Sequence, residues 1–112
     1  VATRYSDALA GLVSLPTTEA RVESVWAQYT VEVDGREAIR SMMARAGIPT
    51  CVFYPRPVHS NIAYDTCPVV SDGTPVATKA SSRVMSLPLH PYLEESVQDR
   101  IVLAFESALA GR

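Results

Sequence analysis

The residues best suited to bind a ligand gather at positions 50–64, which read Thr-Cys-Val-Phe-Tyr-Pro-Arg-Pro-Val-His-Ser-Asn-Ile-Ala-Tyr. Tyr54, His59 and Tyr64 follow a short apolar run that two prolines interrupt, so they belong in or beside a loop at a strand end. A neutral imidazole offers one hydrogen-bond donor and one acceptor, as does a phenol, and all three side chains could contact a polar ligand. The same residues allow a structural interpretation, in which His59 caps backbone groups and the two tyrosines are half-buried at the strand end.

Evidence for a catalytic residue is weak. Lys79 is the only lysine, and a Schiff-base enzyme needs an amine that is held and desolvated. Hydroxyl side chains surround Lys79 early in a predicted helix, which indicates a solvent-facing position. His90 lies between a leucine and a proline and is interpreted as structural. A hydrolase based on His59 and a nearby serine lacks a third group placed to orient the histidine.

The known motif spacings for phosphate loops, metal ligands and nucleophile elbows do not occur in this sequence. We therefore predict no catalytic, cofactor-binding or metal-binding residue within it. Cys51 falls in a predicted buried strand and is interpreted as a small core residue, while its pairing with Cys67 stays open. Two cysteines without a disulfide framework fit a reducing, cytoplasmic setting best.

The composition predicts one globular domain over residues 1–112. The chain is 47% hydrophobic and 20% charged, which allows a hydrophobic core. A net charge of −2 argues against nucleic acid as a partner. No stretch approaches the roughly 20 apolar residues of a membrane helix. The first residue is a valine within a helical pattern, so we expect the chain to be part of a longer protein.

Four helices are predicted from apolar spacing and helix-end signals. The first covers 2–12, with Gly11 as a stop. The second follows Asp34, which would form a capping box with Glu37, and ends near Gly47. The third runs from 75 to about 85, after Thr74 as the N-cap. The fourth covers 95–110.

The strands are predicted from alternation of apolar and polar residues. The strongest candidate is 25–33, and 50–54 is the second. A short strand is predicted at 13–15, and residues 86–92 are expected to be extended. The fold class is therefore α+β, with a small mixed or antiparallel sheet of about three strands flanked by helices.

Four stretches together resemble one protein family. They are Val-Trp-Ala-Gln-Tyr-Thr-Val at 25–31, Gly-Ile-Pro-Thr at 47–50, Tyr-Pro-Arg-Pro-Val-His at 54–59, and the run at 76–91 that ends Ser-Leu-Pro-Leu-His-Pro. In this order they resemble the C-terminal small domain of DegT/DnrJ/StrS-type nucleotide-sugar aminotransferases. These are pyridoxal-phosphate enzymes with the aspartate-aminotransferase fold. The resemblance covers nearly the whole chain, and 1–12 resembles the helix that connects the two domains.

The resemblance implies that the Schiff-base lysine and pyridoxal phosphate belong to a large N-terminal domain that is missing from this chain. There an amino group, typically from glutamate, is transferred to a keto-sugar nucleotide. The small domain helps to close the active-site cleft, so the resemblance implies that His59, Tyr54 and Tyr64 contact the substrate. It also implies a homodimer and a role in sugar biosynthesis.

Two departures from the family pattern concern substrate detail. Glu94 stands where the family often has a serine or threonine that caps the last helix, and residues 60–63 lack the usual glutamine and proline. A different interpretation is a stand-alone α+β binding or assembly module that reuses this fold. Trp26 or the first helix would then form the partner surface.

Overall fold

The computed structural model describes residues 1–111 and has an α+β fold, as predicted; Arg112, the last residue of the predicted domain, lies outside the described residues. Within that range there are four α-helices and a two-stranded antiparallel sheet. In chain order the elements are α1 (Ala2–Leu9), β1 (Tyr29–Glu32), α2 (Arg36–Arg45), α3 (Pro75–Arg83), β2 (Val84–Leu87) and α4 (Glu95–Ala110). Two 3-10 turns, Val58–Ser60 and Ile62–Tyr64, lie between α2 and α3.

The sheet is centred on β2. Tyr29 pairs with Leu87, and Val31 pairs with Met85, in an antiparallel register. On its other side, β2 exchanges two backbone hydrogen bonds between Ser86 and Cys51, at 2.8 and 3.2 Å. The predicted strand at 50–54 is thus reduced to this single bridge, because the chain soon reaches two prolines that cannot donate to a ladder. Cys51 is exposed, so its predicted place in the core is wrong.

The first strand is shorter than the predicted 25–33. Trp26 has a positive φ of 49°, which breaks the extended run before Tyr29, and Val25 is 93% exposed. The alternation is right from Tyr29 onward, where Tyr29, Val31 and Val33 are buried. The predicted strand at 13–15 is also reduced to a bridge, between Ser14 and Glu32.

The longest helix, α4, has the predicted bounds because its apolar spacing matches the helical period throughout. Ile101, Phe105 and Ala108 are buried in the core beside α1 and α2. Gln98 is buried as well, and its Nε2 donates to the backbone oxygen of Val1 at 2.8 Å. The other helices differ at their ends: α1 stops at Leu9 instead of residue 12, and α3 stops at Arg83 because Val84–Leu87 pairs with β1.

The predicted capping box at the start of α2 is wrong. Gly35 is the N-cap residue, with a φ of 64°, and the cap has no side-chain hydrogen bond. The Glu37 carboxylate accepts hydrogen bonds from Arg36 and Arg40, and Asp34 accepts one from Arg83. Arginine side chains therefore bind both carboxylates that the predicted capping box would have used.

Arg36 connects α2 to the junction of α3 and β2. The residue is 8% exposed, and its guanidinium donates to the backbone oxygens of Ser81, at 2.5 Å, and Val84, at 3.2 Å. These carbonyls lie where the helix changes directly into the strand, so their hydrogen bonds would otherwise be incomplete. The end of α3 is therefore held against α2 through the side chain of Arg36. None of the helices in the described part of the chain has the length and apolar character needed to cross a bilayer.

Candidate binding groove

An open groove of about 670 Å³ lies between the irregular segment 53–70 and the helix α3. The loop side carries Tyr54, Arg56, His59 and Tyr64. All three predicted site residues thus line one groove, although they are separated in sequence. The structure therefore brings together the side chains that the sequence singled out as candidates for ligand binding.

The second wall of the groove is one face of α3 and the first residue of β2. Its lining residues are Ala77, Ala80, Ser81 and Val84. Positions three and four apart share a helix face, so this wall follows from the helical period. Lys79 is exposed and lies on the opposite face of the same helix, outside the groove lining. Its interpretation as solvent-facing is confirmed.

His59 is half-buried and held by a side-chain hydrogen bond. Its Nδ1 lies 3.1 Å from the hydroxyl oxygen of Thr74, the N-cap residue of α3. The backbone beneath it is the 3-10 turn Val58–Ser60, which begins after Pro57, whose φ is −63°. The two walls of the groove are therefore connected at the histidine. The ring lines the groove, and its hydrogen-bond partner is a side chain, whereas the alternative interpretation expected the histidine to cap backbone groups.

The two tyrosines are more accessible than the histidine. Tyr54 is 73% exposed, where a half-buried position was expected, and its ring packs edge-on against Phe53 with the centroids 5.9 Å apart. Tyr64 is 47% exposed and ends the second 3-10 turn. Both phenol rings thus have free surface beside the groove, which a ligand could cover.

Among the groove residues that sequence reasoning did not predict are Arg56, Cys67 and Thr74. Arg56 lies between two prolines in the motif at 54–59, and its closeness to His59 in the sequence was the one signal that could have identified it as a groove residue. Cys67 and Thr74 come from the stretch after Tyr64, whose path across the groove no local pattern indicated. Among the described residues that line the groove, Arg56 is the one with a permanent charge.

The groove combines mostly apolar walls with a few polar groups on the loop side. Apolar lining with a small number of directed polar groups is typical of small-molecule sites. Arg56 offers only donors and a positive charge, while the imidazole and phenols can donate or accept. The arrangement suits a ligand that has both apolar or ring surface and oxygen acceptors, some of them anionic.

The groove does not by itself fit pyridoxal phosphate. That cofactor forms its Schiff base with a lysine amine, and among the described residues that line the groove there is neither a lysine nor a carboxylate. Lys79 faces solvent on the other side of α3. Within residues 1–111, no three His, Cys, Asp or Glu side chains are arranged to hold a metal ion.

The sequence matches the DegT/DnrJ/EryC1/StrS aminotransferase family over residues 1–106, and the chain belongs to this family. It is 42% identical over 85 residues to a Pseudomonas aeruginosa "UDP-2-acetamido-2-deoxy-3-oxo-D-glucuronate aminotransferase", a match covering 73% of this chain and 22% of that protein. It is 35% identical over 104 residues to a Streptomyces venezuelae "dTDP-3-amino-3,4,6-trideoxy-alpha-D-glucose transaminase", covering 91% and 27%.

Solved structures agree with this assignment. An aminotransferase of the same family from Brucella abortus superposes with a TM-score of 0.90 at 38% identity, over 95% of this chain and 28% of that one. The DesV protein of S. venezuelae, in complex with a ketimine intermediate, gives a TM-score of 0.88 at 35% identity, over 96% and 30%. The resemblance inferred from the four motifs is thus confirmed. The chain spans 22–31% of the length of the curated relatives it matches.

Proposed function

We propose that residues 1–112 form the C-terminal small domain of a pyridoxal-phosphate-dependent aminotransferase that acts on keto-sugar nucleotides. Residues 1–12 would be the helix that connects it to a large domain carrying the cofactor and its lysine. Membership of the aminotransferase family supports this proposal, and two relatives are named for nucleotide-sugar substrates. In this role the domain closes the active-site cleft and contacts substrate, and it performs no catalytic step alone.

The observation that carries the proposal is the convergence of His59, Tyr54 and Tyr64 on one groove beside Arg56. A nucleotide sugar has ring surface for the apolar wall, hydroxyl and carbonyl oxygens for the imidazole and phenols, and phosphates for an arginine. The three predicted residues then act as substrate-binding groups. Their task is to hold and orient the sugar nucleotide, while pyridoxal phosphate supplies the electron sink of amino transfer in the large domain.

The proposed partners are the large domain and a second copy of the whole enzyme. An exposed surface that includes the start of the chain supports a domain contact, because Val1, Val25 and the half-buried Trp26 line one depression and Val25 is 93% exposed. Large apolar side chains exposed in this way are typical of interaction sites. Both described cysteines are free and exposed, which fits a reducing compartment, so we place the enzyme in the cytoplasm.

The first test replaces His59 with alanine and measures the affinity for UDP-N-acetylglucosamine by calorimetry. Loss of one directed hydrogen bond to a phosphate or hydroxyl oxygen is expected to weaken binding about tenfold. Lys79→Ala is the matched control, because Lys79 lies outside the groove, and its affinity should equal that of the wild type. Equal affinities for wild type and His59→Ala would contradict the assignment of the groove.

A second measurement concerns the cofactor. Pyridoxal phosphate added to this chain should give no visible absorption band that depends on Lys79. A band that disappears in Lys79→Ala would show that the chain carries its own Schiff-base lysine, contrary to the proposal. A chain that binds neither probe and stays a dispersed monomer would instead favour the stand-alone binding module.

A further inference from the structure

We infer that Thr74 is a positioning residue for His59: its hydroxyl donates to Nδ1, so the proton of the neutral ring resides on Nε2 and is offered to the ligand. The inference rests on the proposed function for the identity of that ligand. It assigns to the groove a chemical preference that the family relationship does not supply. The carrying observation is the 3.1 Å contact between the Thr74 hydroxyl oxygen and Nδ1.

The Thr74 hydroxyl contacts the histidine instead of the helix it precedes. Thr74 is the N-cap residue of α3, and its backbone oxygen accepts the N–H of Thr78 at 2.9 Å. A threonine at this position commonly accepts a hydrogen bond from the second or third helical N–H, yet α3 has no side-chain cap hydrogen bond. The hydroxyl instead lies against the ring of His59, which ties the loop wall of the groove to the helix wall.

The helix dipole favours one direction for this hydrogen bond. Thr74 is the N-cap residue of α3, and the start of a helix is the positive end of its dipole. A lone pair on Nδ1 is favoured there, whereas an N–H at the same place would face like partial charges. The hydroxyl therefore donates, Nδ1 accepts, and the neutral imidazole carries its proton on Nε2.

This tautomer restricts what the groove can bind. With Nδ1 occupied by Thr74, Nε2 is the ring nitrogen left for the ligand, and it is a donor. Arg56, on the same side of the groove, also offers donors only. The ligand group that meets these two side chains must therefore be an oxygen acceptor, such as a phosphate, carboxylate, carbonyl or hydroxyl oxygen. An amine or amide N–H in that place would be left without a partner.

The test is the tautomer of His59 in the 112-residue chain labelled with ¹⁵N at histidine. Long-range proton–nitrogen NMR spectra distinguish protonated from unprotonated ring nitrogens, and the exposed His90 serves as the internal reference. We expect one dominant His59 tautomer with the proton on Nε2. Thr74→Val keeps the side-chain shape, removes the donor and should give a mixture of both tautomers, and Thr74→Ser should restore the single form.

A wild-type spectrum with the proton on Nδ1 would overturn the inference, and it decides the direction even if Thr74→Val fails to fold. An unchanged His59 tautomer in a folded Thr74→Val variant would overturn it too. Affinity for UDP-N-acetylglucosamine should fall about two- to tenfold in Thr74→Val and recover in Thr74→Ser.

The two proposals fail in different ways. If the tautomer responds to Thr74→Val but His59→Ala binds the nucleotide sugar as well as the wild type does, the substrate role is wrong and the control of the ring by Thr74 stands. If His59→Ala weakens binding but the tautomer ignores Thr74, only the positioning role is wrong.

Discussion

Tyr5 offers the sharpest test of the core, because its ring and its hydroxyl have separate roles. The side chain is fully buried, its ring centroid lies 5.1 Å from that of Tyr29, and its hydroxyl donates to the backbone oxygen of Pro88 at 2.8 Å. Tyr5→Phe keeps the ring and leaves that carbonyl without its partner. Removal of one partner of a buried hydrogen bond should lower the free energy of unfolding by about 1–3 kcal/mol near neutral pH.

The same hydroxyl makes stability depend on alkaline pH. Burial, and secondarily the neighbouring Tyr29, raise the pKa of Tyr5 from its ordinary value of 10.0 to about 12. Because the folded state holds the proton more tightly, the stabilising contribution is complete below pH 10 and is lost as the pH rises toward 12. A tenfold difference in proton affinity between the folded and unfolded states corresponds to about 1.4 kcal/mol, so Tyr5 accounts for a loss of at most roughly 3 kcal/mol over this range.

The measurement is urea unfolding followed by circular dichroism at several values between about pH 8 and pH 11.5. Wild type should lose stability steeply above pH 10, and Tyr5→Phe should lose less. Some alkaline loss should remain in the variant, because burial also raises the pKa of Tyr29. Tyr92→Phe is the matched control, since Tyr92 is 87% exposed, and it should follow the wild-type curve. Parallel curves for wild type and Tyr5→Phe would refute the reasoning.

Two further predictions concern the start of α2. Arg36→Met removes the donors to the Ser81 and Val84 carbonyls. It should lower the free energy of unfolding, measured in urea, by about 2–4 kcal/mol. The control is Arg100→Met at an exposed position, which should change that free energy by less than about 0.5 kcal/mol. Gly35→Ala should lower the free energy of unfolding by about 1–2 kcal/mol, because φ is 64° and the added Cβ would meet no atom within 4 Å. Gly35→Asn should lower it less, since asparagine adopts a positive φ more readily. Equal losses for the two variants would contradict a backbone cause.

The spacing of apolar residues predicted correctly the element whose residues follow one regular pattern from end to end. The helix α4 has an uninterrupted apolar stripe, and both its bounds and the burial of Ile101 and Phe105 were predictable. The extent of the strands was not, because it depends on a distant partner: β1 extends only as far as β2 pairs with it. The capping box at Asp34 was wrong for a similar reason, since Arg83, far along the chain, binds that carboxylate.

The candidate site was predictable in part. The motif at 54–59 identified His59 and Tyr54, and Tyr64 followed from its closeness to them. The opposite wall required knowledge of how α3 lies against the loop, which is fixed by the buried Arg36 and by β2. The hydrogen bond from Thr74 was hidden because a threonine before a proline at a helix start is normally explained by capping alone.

The direct passage of α3 into β2 makes the two walls of the groove unequal. One wall is covalently continuous with the central strand, so a substitution that shifts it must also disturb the core. The other wall, residues 53–70, has no strand or α-helix and is tied back through Cys51 and His59. Substitutions in the loop should therefore change the shape of the groove with little effect on the core, while the helix wall keeps its position.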